Sequence, residues 1–175
     1  MHFTKINLYT FIDDFDENKI LNLKKNSGVI FRNYKKKIDL KTVKKFHKLC
    51  KKNKLRFYLS NNIKLATKLD LDGAYIPSFN KNTNHLAYSF KKSFNLIGSA
   101  HNLKEIRIKE KQGVKKIFIS SLFKKNKNFL GINKFKILSN MTKKNVVALG
   151  GISKSNLKKL NFLDISDFAG ISYFE

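Results

Sequence analysis

The chain has little of what would indicate a secreted, disulfide-bonded or membrane-embedded protein. It contains a single cysteine, Cys50, so it can form neither a disulfide framework nor a cysteine metal cluster. No apolar run approaches the roughly 20 residues that a membrane-spanning helix needs. Residues 1–5 lack the apolar region of a signal peptide. We therefore expect a reduced, cytoplasmic protein without a membrane partner, in which Cys50 is a buried core thiol on a helix face.

Acidic residues are also scarce. The chain has 12 Asp and Glu against 37 Lys and Arg, which gives a net charge of +25. The lysines are spread along every predicted helix and turn, and no helix-turn-helix, zinc-finger or RNA-recognition motif is present. Lys, Asn, Ile and Phe are abundant together, as A/T-rich codons favour. We attribute the charge to genome composition and expect no nucleic-acid partner, although the field attracts small anions.

Short apolar strands alternate with helical segments along the whole chain, and no pair of strands is a hairpin. Hydrophobic residues make up 42% of the sequence, enough for a core, and we expect residues 1–175 to form a single domain. The pattern predicts eight strands, at 6–12, 28–34, 55–60, 72–77, 95–100, 114–120, 146–149 and 166–171. It predicts helices between them, at 16–25, 40–52, 63–69, 86–90, 102–113, 134–141 and 155–160.

This alternation is typical of an α/β fold. It predicts a compact (β/α)8 TIM barrel with short helices, whose active site forms at the carboxyl ends of the strands. An open doubly wound sheet is the alternative. Since the sequence stops shortly after the eighth strand, we expect no final covering helix. A homo-oligomer would then cover the apolar surface near strands seven, eight and one.

The seventh predicted strand is followed at once by two glycines, Gly150 and Gly151. Ser153 is predicted to be the N-cap of the helix at 155–160. A strand, a glycine turn and a helix start leave backbone N–H groups exposed at a carboxyl strand end, where they can bind phosphate. The same pattern also fits an ordinary glycine turn of a βα unit.

Further segments follow one another in a characteristic order, at 8–13, 31–32, 65–66, 72–73, 98–101, 119–123, 130–131, 148–152 and 168–171. In this order and spacing the sequence resembles the thiamine-phosphate synthase/TenI family of (β/α)8 barrels. Thiamine-phosphate synthases join an aminopyrimidine diphosphate to a thiazole phosphate and release pyrophosphate with Mg2+. TenI-type relatives share the barrel but aromatise the thiazole by moving a proton.

The resemblance implies a binding site for the thiazole phosphate, made by the backbone amides of Gly150, Gly151, Ile171 and Ser172. Arg32 would add a bidentate anion contact, and Asp13 would orient the ring. An ion pair of Arg32 with Asp13 or Asp14 is the other interpretation.

At the metal site the sequence departs from the synthases. Asn61 and Asn80 stand where the resemblance places two Mg2+-binding aspartates, and an amide brings no negative charge. Tyr34 stands where a lysine is expected, whereas Lys125 and Lys127 remain in the loop after strand six, which has lost its threonines. We therefore predict no metal ligands, and Mg2+ as a cofactor only if the protein is a synthase.

His101 follows the fifth strand, in a segment similar to the one in which tautomerases place their proton-transferring histidine. Asn102 and Glu105 form a capping-box pattern beside it, so His101 could instead be a loop residue of that cap. The ordinary pKa of histidine suits proton transfer at neutral pH. We predict a tautomerase-like enzyme acting on a phosphorylated thiazole. A divergent synthase that also binds an aminopyrimidine diphosphate is the alternative, and a non-catalytic phosphate- or RNA-binding barrel is the third.

Overall fold

The computed structural model describes residues 7–35 and 38–170. Its strands are β1 (Leu8–Ile12), β2 (Gly28–Phe31), β3 (Arg56–Ser60), β4 (Gly73–Ile76), β5 (Asn95–Ala100), β6 (Lys116–Ile119), β7 (Asn145–Leu149) and β8 (Phe168–Ala169). Each strand pairs in parallel with the next, and β8 pairs with β1, so the sheet closes into a barrel. The (β/α)8 prediction is confirmed, and the open doubly wound sheet was wrong. The prediction that no helix follows β8 falls on residues 171–175, outside the described part.

Within the described residues, five α-helices connect the strands: α1 (Glu17–Leu21), α2 (Leu40–Lys52), α3 (Ile63–Lys68), α4 (Leu103–Lys111) and α5 (Gly131–Asn140). The bounds of α2 are those predicted, because Asp39 caps it by accepting from the amides of Lys41 and Thr42. None of the described helices is both long and apolar enough to cross a bilayer.

Two connections predicted as α-helices are 3₁₀-helices instead, at Asn84–Ala87 and Leu157–Leu163. The second begins after Asn156, so the prediction that Ser153 caps a helix was wrong. The amide of Ser153 instead donates to Oδ1 of Asn156, 3.0 Å away. This side chain competes for the local backbone groups, and the chain forms a turn rather than a helix start.

The core has two layers, because successive strand residues point to opposite faces of the sheet. One layer lies between the sheet and the helices and includes Cys50, which is buried as predicted. The other fills the barrel interior: Tyr9, Phe11, Ile30, Tyr58, Tyr75, Ile97, Phe118, Val147 and Ala169. Aromatic rings there meet edge to face, as Phe11 and Tyr75 do at 5.3 Å. Since side chains fill the interior, only the two ends of the barrel can hold a site.

The amino-terminal end of the barrel is closed by polar contacts. The ammonium of Lys116 pairs with the buried carboxylate of Asp167, which also accepts from Nδ2 of Asn7 at 2.9 Å. The other end carries the residues that follow the strands, and all the predicted site residues that the structure describes lie there. Phe162, between β7 and β8, is 68% exposed. A second subunit on that side stays a prediction.

Candidate active site at the carboxyl rim

The turn after β7 can be made only by glycine. Gly150 and Gly151 have φ angles of +104° and +74°, in the left-handed region. The loop after β6 packs directly onto them, and the amide of Phe123 donates to the carbonyl of Gly150 at 2.8 Å. A Cβ on Gly150 would lie 2.5 Å from Oγ of Ser121, and one on Gly151 would lie 2.6 Å from the amide nitrogen of Lys124.

The amide N–H groups of Gly150 and Gly151 donate to no residue in the described part of the chain. Asn156 holds the turn from the other side: its Nδ2 donates to the carbonyl of Gly151 at 2.8 Å, and its Oδ1 accepts from Ser153. Two free N–H groups in a braced turn can bind an oxyanion. Asn156 was not predicted, although an asparagine within five residues of a glycine pair is a common turn former. Ile171 and Ser172 lie outside the described residues.

His101 lies on the same rim as the glycine turn, one strand removed, because β5, β6 and β7 are parallel neighbours. Its ring Nδ1 lies 2.9 Å from Oε2 of Glu105, and its main-chain amide donates to the same oxygen at 2.8 Å. Oδ1 of Asn102 accepts from the amide of Glu105, while the Glu105 carboxylate accepts from Nδ2 of Asn102 and from the amide of His101, so the cap is a variant of the predicted capping box, shifted by one residue. A carboxylate partner places the proton on Nδ1, which leaves Nε2 as the acceptor in the neutral ring. The catalytic role of His101 stays a prediction.

Arg32 and Asp13 are brought together at the ends of β2 and β1. Nε of Arg32 lies 3.3 Å from Oδ1 of Asp13, and the guanidinium stacks on Phe11 at 4.8 Å from the ring centroid. The ion pair that was the other interpretation of Arg32 is thus present. It is partly exposed, so its exchange for a pair with a phosphate costs little.

Lys125 and Lys127 lie in the loop between β6 and α5. They follow Lys124, whose amide donates to the carbonyl of Gly150 in the glycine turn. Both side chains are exposed, and no contact in the described residues holds either in place. They add positive charge to the rim without a defined geometry.

Asn61 and Asn80 meet across the ends of β3 and β4. Nδ2 of Asn80 donates to Oδ1 of Asn61 at 2.7 Å, and Oδ1 of Asn80 accepts from the amide of Asn82 at 2.8 Å. Asn61 has a φ of +58°, which asparagine tolerates better than most residues. The two positions at which the family resemblance places Mg2+-binding aspartates are therefore direct neighbours.

Two aromatic residues beside this amide pair were not predicted as site residues. Tyr34 follows β2 and Phe79 follows β4, and their rings meet edge to face at 5.4 Å. The hydroxyls of Tyr34 and Ser60 are hydrogen-bonded at 2.8 Å, and partial burial raises the pKa of Tyr34. Neither residue belongs to a periodic apolar pattern, so the sequence carried no signal that they would meet.

A buried lysine supports the loop after β4. Lys109 of α4 is completely buried, and its Nζ donates to the carbonyl of Asn80 at 2.7 Å and to Oε1 of Gln112 at 2.8 Å. Gln112 also donates to the carbonyls of Asn80 and Asn82. Burial lowers the pKa of Lys109 to about 8. Sequence reasoning missed this residue because lysines are common on all the helices.

Comparison with known families matches residues 21–174 to the family described as thiamine monophosphate synthase. The chain belongs to this family. It is 28% identical over 136 residues to a thiamine-phosphate synthase of Methanococcus vannielii, covering 73% of the chain. It is 30% identical over 146 residues to one of Prochlorococcus marinus subsp. pastoris, covering 81% of the chain. The chain spans 64% and 42% of the lengths of these two relatives.

Solved structures of the family share the barrel. The thiamine phosphate pyrophosphorylase of Pyrococcus furiosus superposes with a TM-score of 0.76 at 18% identity, covering 95% of this chain and 86% of that one. The corresponding protein of Bacteroides thetaiotaomicron gives a TM-score of 0.64 at 12% identity, with coverage of 97% and 84%. At these identities the likeness concerns the fold.

The Mg2+ that the family implies does not fit the residues at Asn61 and Asn80. Mg2+ is usually held by one or two carboxylates, whereas these amides are neutral and are already bonded to each other. Among residues 7–35 and 38–170, no three His, Cys, Asp or Glu side chains are grouped so that they could hold a metal ion. The residues at these two positions therefore do not provide a Mg2+ site of the family's kind.

Proposed function

We propose that this member of the thiamine monophosphate synthase family joins an aminopyrimidine diphosphate to a thiazole phosphate and releases pyrophosphate. The observation that carries the proposal is the glycine turn at the carboxyl rim, whose two amide N–H groups donate to no described residue. The comparisons favour this reaction over the tautomerase that we preferred from the sequence, because the relatives are named as synthases. It is a transferase reaction.

In this proposal the chain's own residues bind and orient the substrates. The amides of Gly150 and Gly151 hold the thiazole phosphate, and the rigid turn keeps them in position before the substrate arrives. A bond forms between the aminopyrimidine and the thiazole as the bond between the aminopyrimidine and the pyrophosphate breaks. The pyrophosphate leaves with the electron pair of the broken bond. Arg32, Lys125 and Lys127 offset the charge of the leaving pyrophosphate.

The test is to incubate purified protein with both substrates and to measure thiamine phosphate and pyrophosphate, with added Mg2+ and with a chelator. We expect both products in equal amounts. The Arg32→Gln variant should lower the rate about tenfold or more, since it removes a charged phosphate contact. Arg107→Gln is the matched control, because Arg107 pairs with Glu110 on the exposed side of α4. If folded protein forms no product in either condition, the synthase proposal is wrong.

One observation favours a second candidate, the thiazole tautomerase. Glu105 fixes the ring of His101 and leaves Nε2 able to accept a proton. In this reaction Nε2 would take a proton from one carbon of the thiazole tautomer and return it to another, so that the ring becomes aromatic without a net loss of protons. We would follow aromatisation with the wild type, His101→Ala and the control His47→Ala, which lies on α2. A rate at background, or one that His101→Ala leaves unchanged, would eliminate this candidate.

A further inference from the structure

A completely buried ammonium lies beneath the loop that follows β4. Nζ of Lys109 donates to the main-chain carbonyl of Asn80 at 2.7 Å and to Oε1 of Gln112 at 2.8 Å. It forms no ion pair with a carboxylate in the part of the chain that the structure describes, and Glu105, one turn earlier on α4, attracts it from beyond ion-pair distance. Neutral oxygen atoms thus hold this cation, as they can hold a metal ion.

The neighbouring residues leave room for this cation and keep it in place. The lysine stem crosses β5 at Gly98, where a Cβ would lie 2.9 Å from Cδ of Lys109. Gln112 is also completely buried, and its Nε2 donates to the carbonyls of Asn80 and Asn82 at 3.1 and 2.8 Å. Lys109 and Gln112 therefore order the loop after β4 jointly, and the residue at position 98 must be small for the ammonium to reach that loop.

Asn80 connects this ammonium to the amide pair on the rim. Its carbonyl accepts from Lys109, and its Nδ2 donates to Oδ1 of Asn61 at 2.7 Å. Its own Oδ1 accepts from the amide of Asn82 at 2.8 Å, so both side-chain oxygens of the pair are already hydrogen-bonded. An amide–amide bond thus joins the ends of β3 and β4, at the positions where the family resemblance places two carboxylates around Mg2+.

A fixed ammonium and a divalent metal ion disfavour each other at this position. Lys109 is bonded to the carbonyl of Asn80, the same residue whose side chain would have to bind the metal. Like charges a few ångströms apart repel each other even at the high effective dielectric constant of a protein surface, and a divalent ion doubles the repulsion. Two aspartates would offset this repulsion, whereas two neutral amides do not. The two asparagines and the buried lysine therefore form a consistent set.

We propose that the ammonium of Lys109 takes the place of a divalent cation at the ends of β3 and β4, with Asn61 and Asn80 as its neutral neighbours. The protein without substrates then binds neither Mg2+ nor Mn2+ at these two residues. Two carboxylates at positions 61 and 80 form a good metal site only when the charge of Lys109 is also removed. This inference concerns the protein alone and does not rest on the proposed reaction.

The probe is Mn2+, whose binding at neutral pH is measured by its electron paramagnetic resonance signal and by calorimetry. We expect no saturable site at Asn61 and Asn80 in the wild type, and weak binding by the double variant Asn61→Asp with Asn80→Asp. Adding Lys109→Met to that double variant should tighten binding about tenfold or more, because it removes the repelling charge. Lys109→Gln keeps an N–H donor for the Asn80 carbonyl and should act in the same way. Lys111→Met is the matched control, because Lys111 lies exposed at the end of the same helix.

The outcomes decide the inference whether or not the protein makes thiamine phosphate. Saturable binding of Mn2+ by the wild type that Asn61→Ala weakens would overturn it, because the amides would then be metal ligands. It is also wrong if the double aspartate variant binds Mn2+ equally well with and without the Lys109 substitutions. Tighter binding after Lys109→Met and Lys109→Gln, but not after Lys111→Met, would support it. Circular dichroism and urea unfolding show whether each variant folds, and the wild-type titration is a test that needs no substitution at Lys109.

Discussion

Lys109 allows a quantitative test of the support beneath the candidate site. Its pKa falls from the ordinary 10.5 to about 8, because burial disfavours the ammonium. This difference means that the folded protein binds the proton about 3 kcal/mol less tightly than the unfolded chain does. Between about pH 8 and pH 10.5 the unfolded chain therefore holds more protons, and the free energy of unfolding rises with pH.

The Lys109→Met variant removes this titration and keeps a side chain of similar length. It also leaves Oε1 of Gln112 without a donor, which costs about 1–3 kcal/mol at every pH. The informative quantity is therefore the change in the difference between the two proteins. We expect the free energy of unfolding of the wild type, relative to the variant, to increase by about 1 kcal/mol from about pH 7 to about pH 9.

Urea unfolding followed by circular dichroism at constant ionic strength measures this difference. Cys50 and the buried tyrosines also titrate above pH 9, but they are common to both proteins and cancel. Lys111→Met is the matched control, since Lys111 lies exposed at the end of the same helix. If the difference in the free energy of unfolding between the wild type and Lys109→Met does not change with pH, burial does not lower the pKa of Lys109 as we argue.

Three other predictions follow from single contacts. Gly150→Ala should lower the free energy of unfolding, measured in urea, by about 1–3 kcal/mol, because its Cβ would overlap Ser121 at a φ of +104°. The same substitution should weaken binding of thiazole phosphate, and unchanged binding would show that the turn is not the phosphate site. Burial raises the pKa of Cys50 to about 12, so a thiol reagent should modify it only after unfolding, and rapid labelling of the folded protein would contradict this. Lys116→Met should lower the free energy of unfolding by about 3 kcal/mol, because it leaves the Asp167 carboxylate without its cation. The double variant Lys116→Met with Asp167→Leu should lower it by less.

The barrel itself could be predicted because its signals are local. Eight apolar runs alternate with amphipathic segments, and each strand or helix was placed within a few residues of its observed position. The helix at 40–52 was the most accurate, since Asp39 marks its start and its apolar stripe is regular. The errors fell on 84–90 and 153–163, where side chains of Asn and Ser compete with helical hydrogen bonds.

The candidate site could be predicted only in part. The glycine turn and the capping box at His101 are made by neighbouring residues, so their spacing shows them directly. The partner of Arg32 was foreseen as an alternative, but the sequence could not choose between that ion pair and a ligand. Asn156 was missed because its role depends on the turn that it closes.

The sequence by itself determined the order of strands and helices, the α/β class with a parallel sheet, and the glycine turn after the seventh strand. These follow from periodicity, from glycine conformation and from the rule that parallel strands end on the same side. The tertiary structure alone decided that Tyr34 meets Phe79, that Asn61 meets Asn80, and that Lys109 holds the Asn80 carbonyl. These partners are distant in sequence and share no pattern, and they become neighbours only because barrel closure brings the strand ends together.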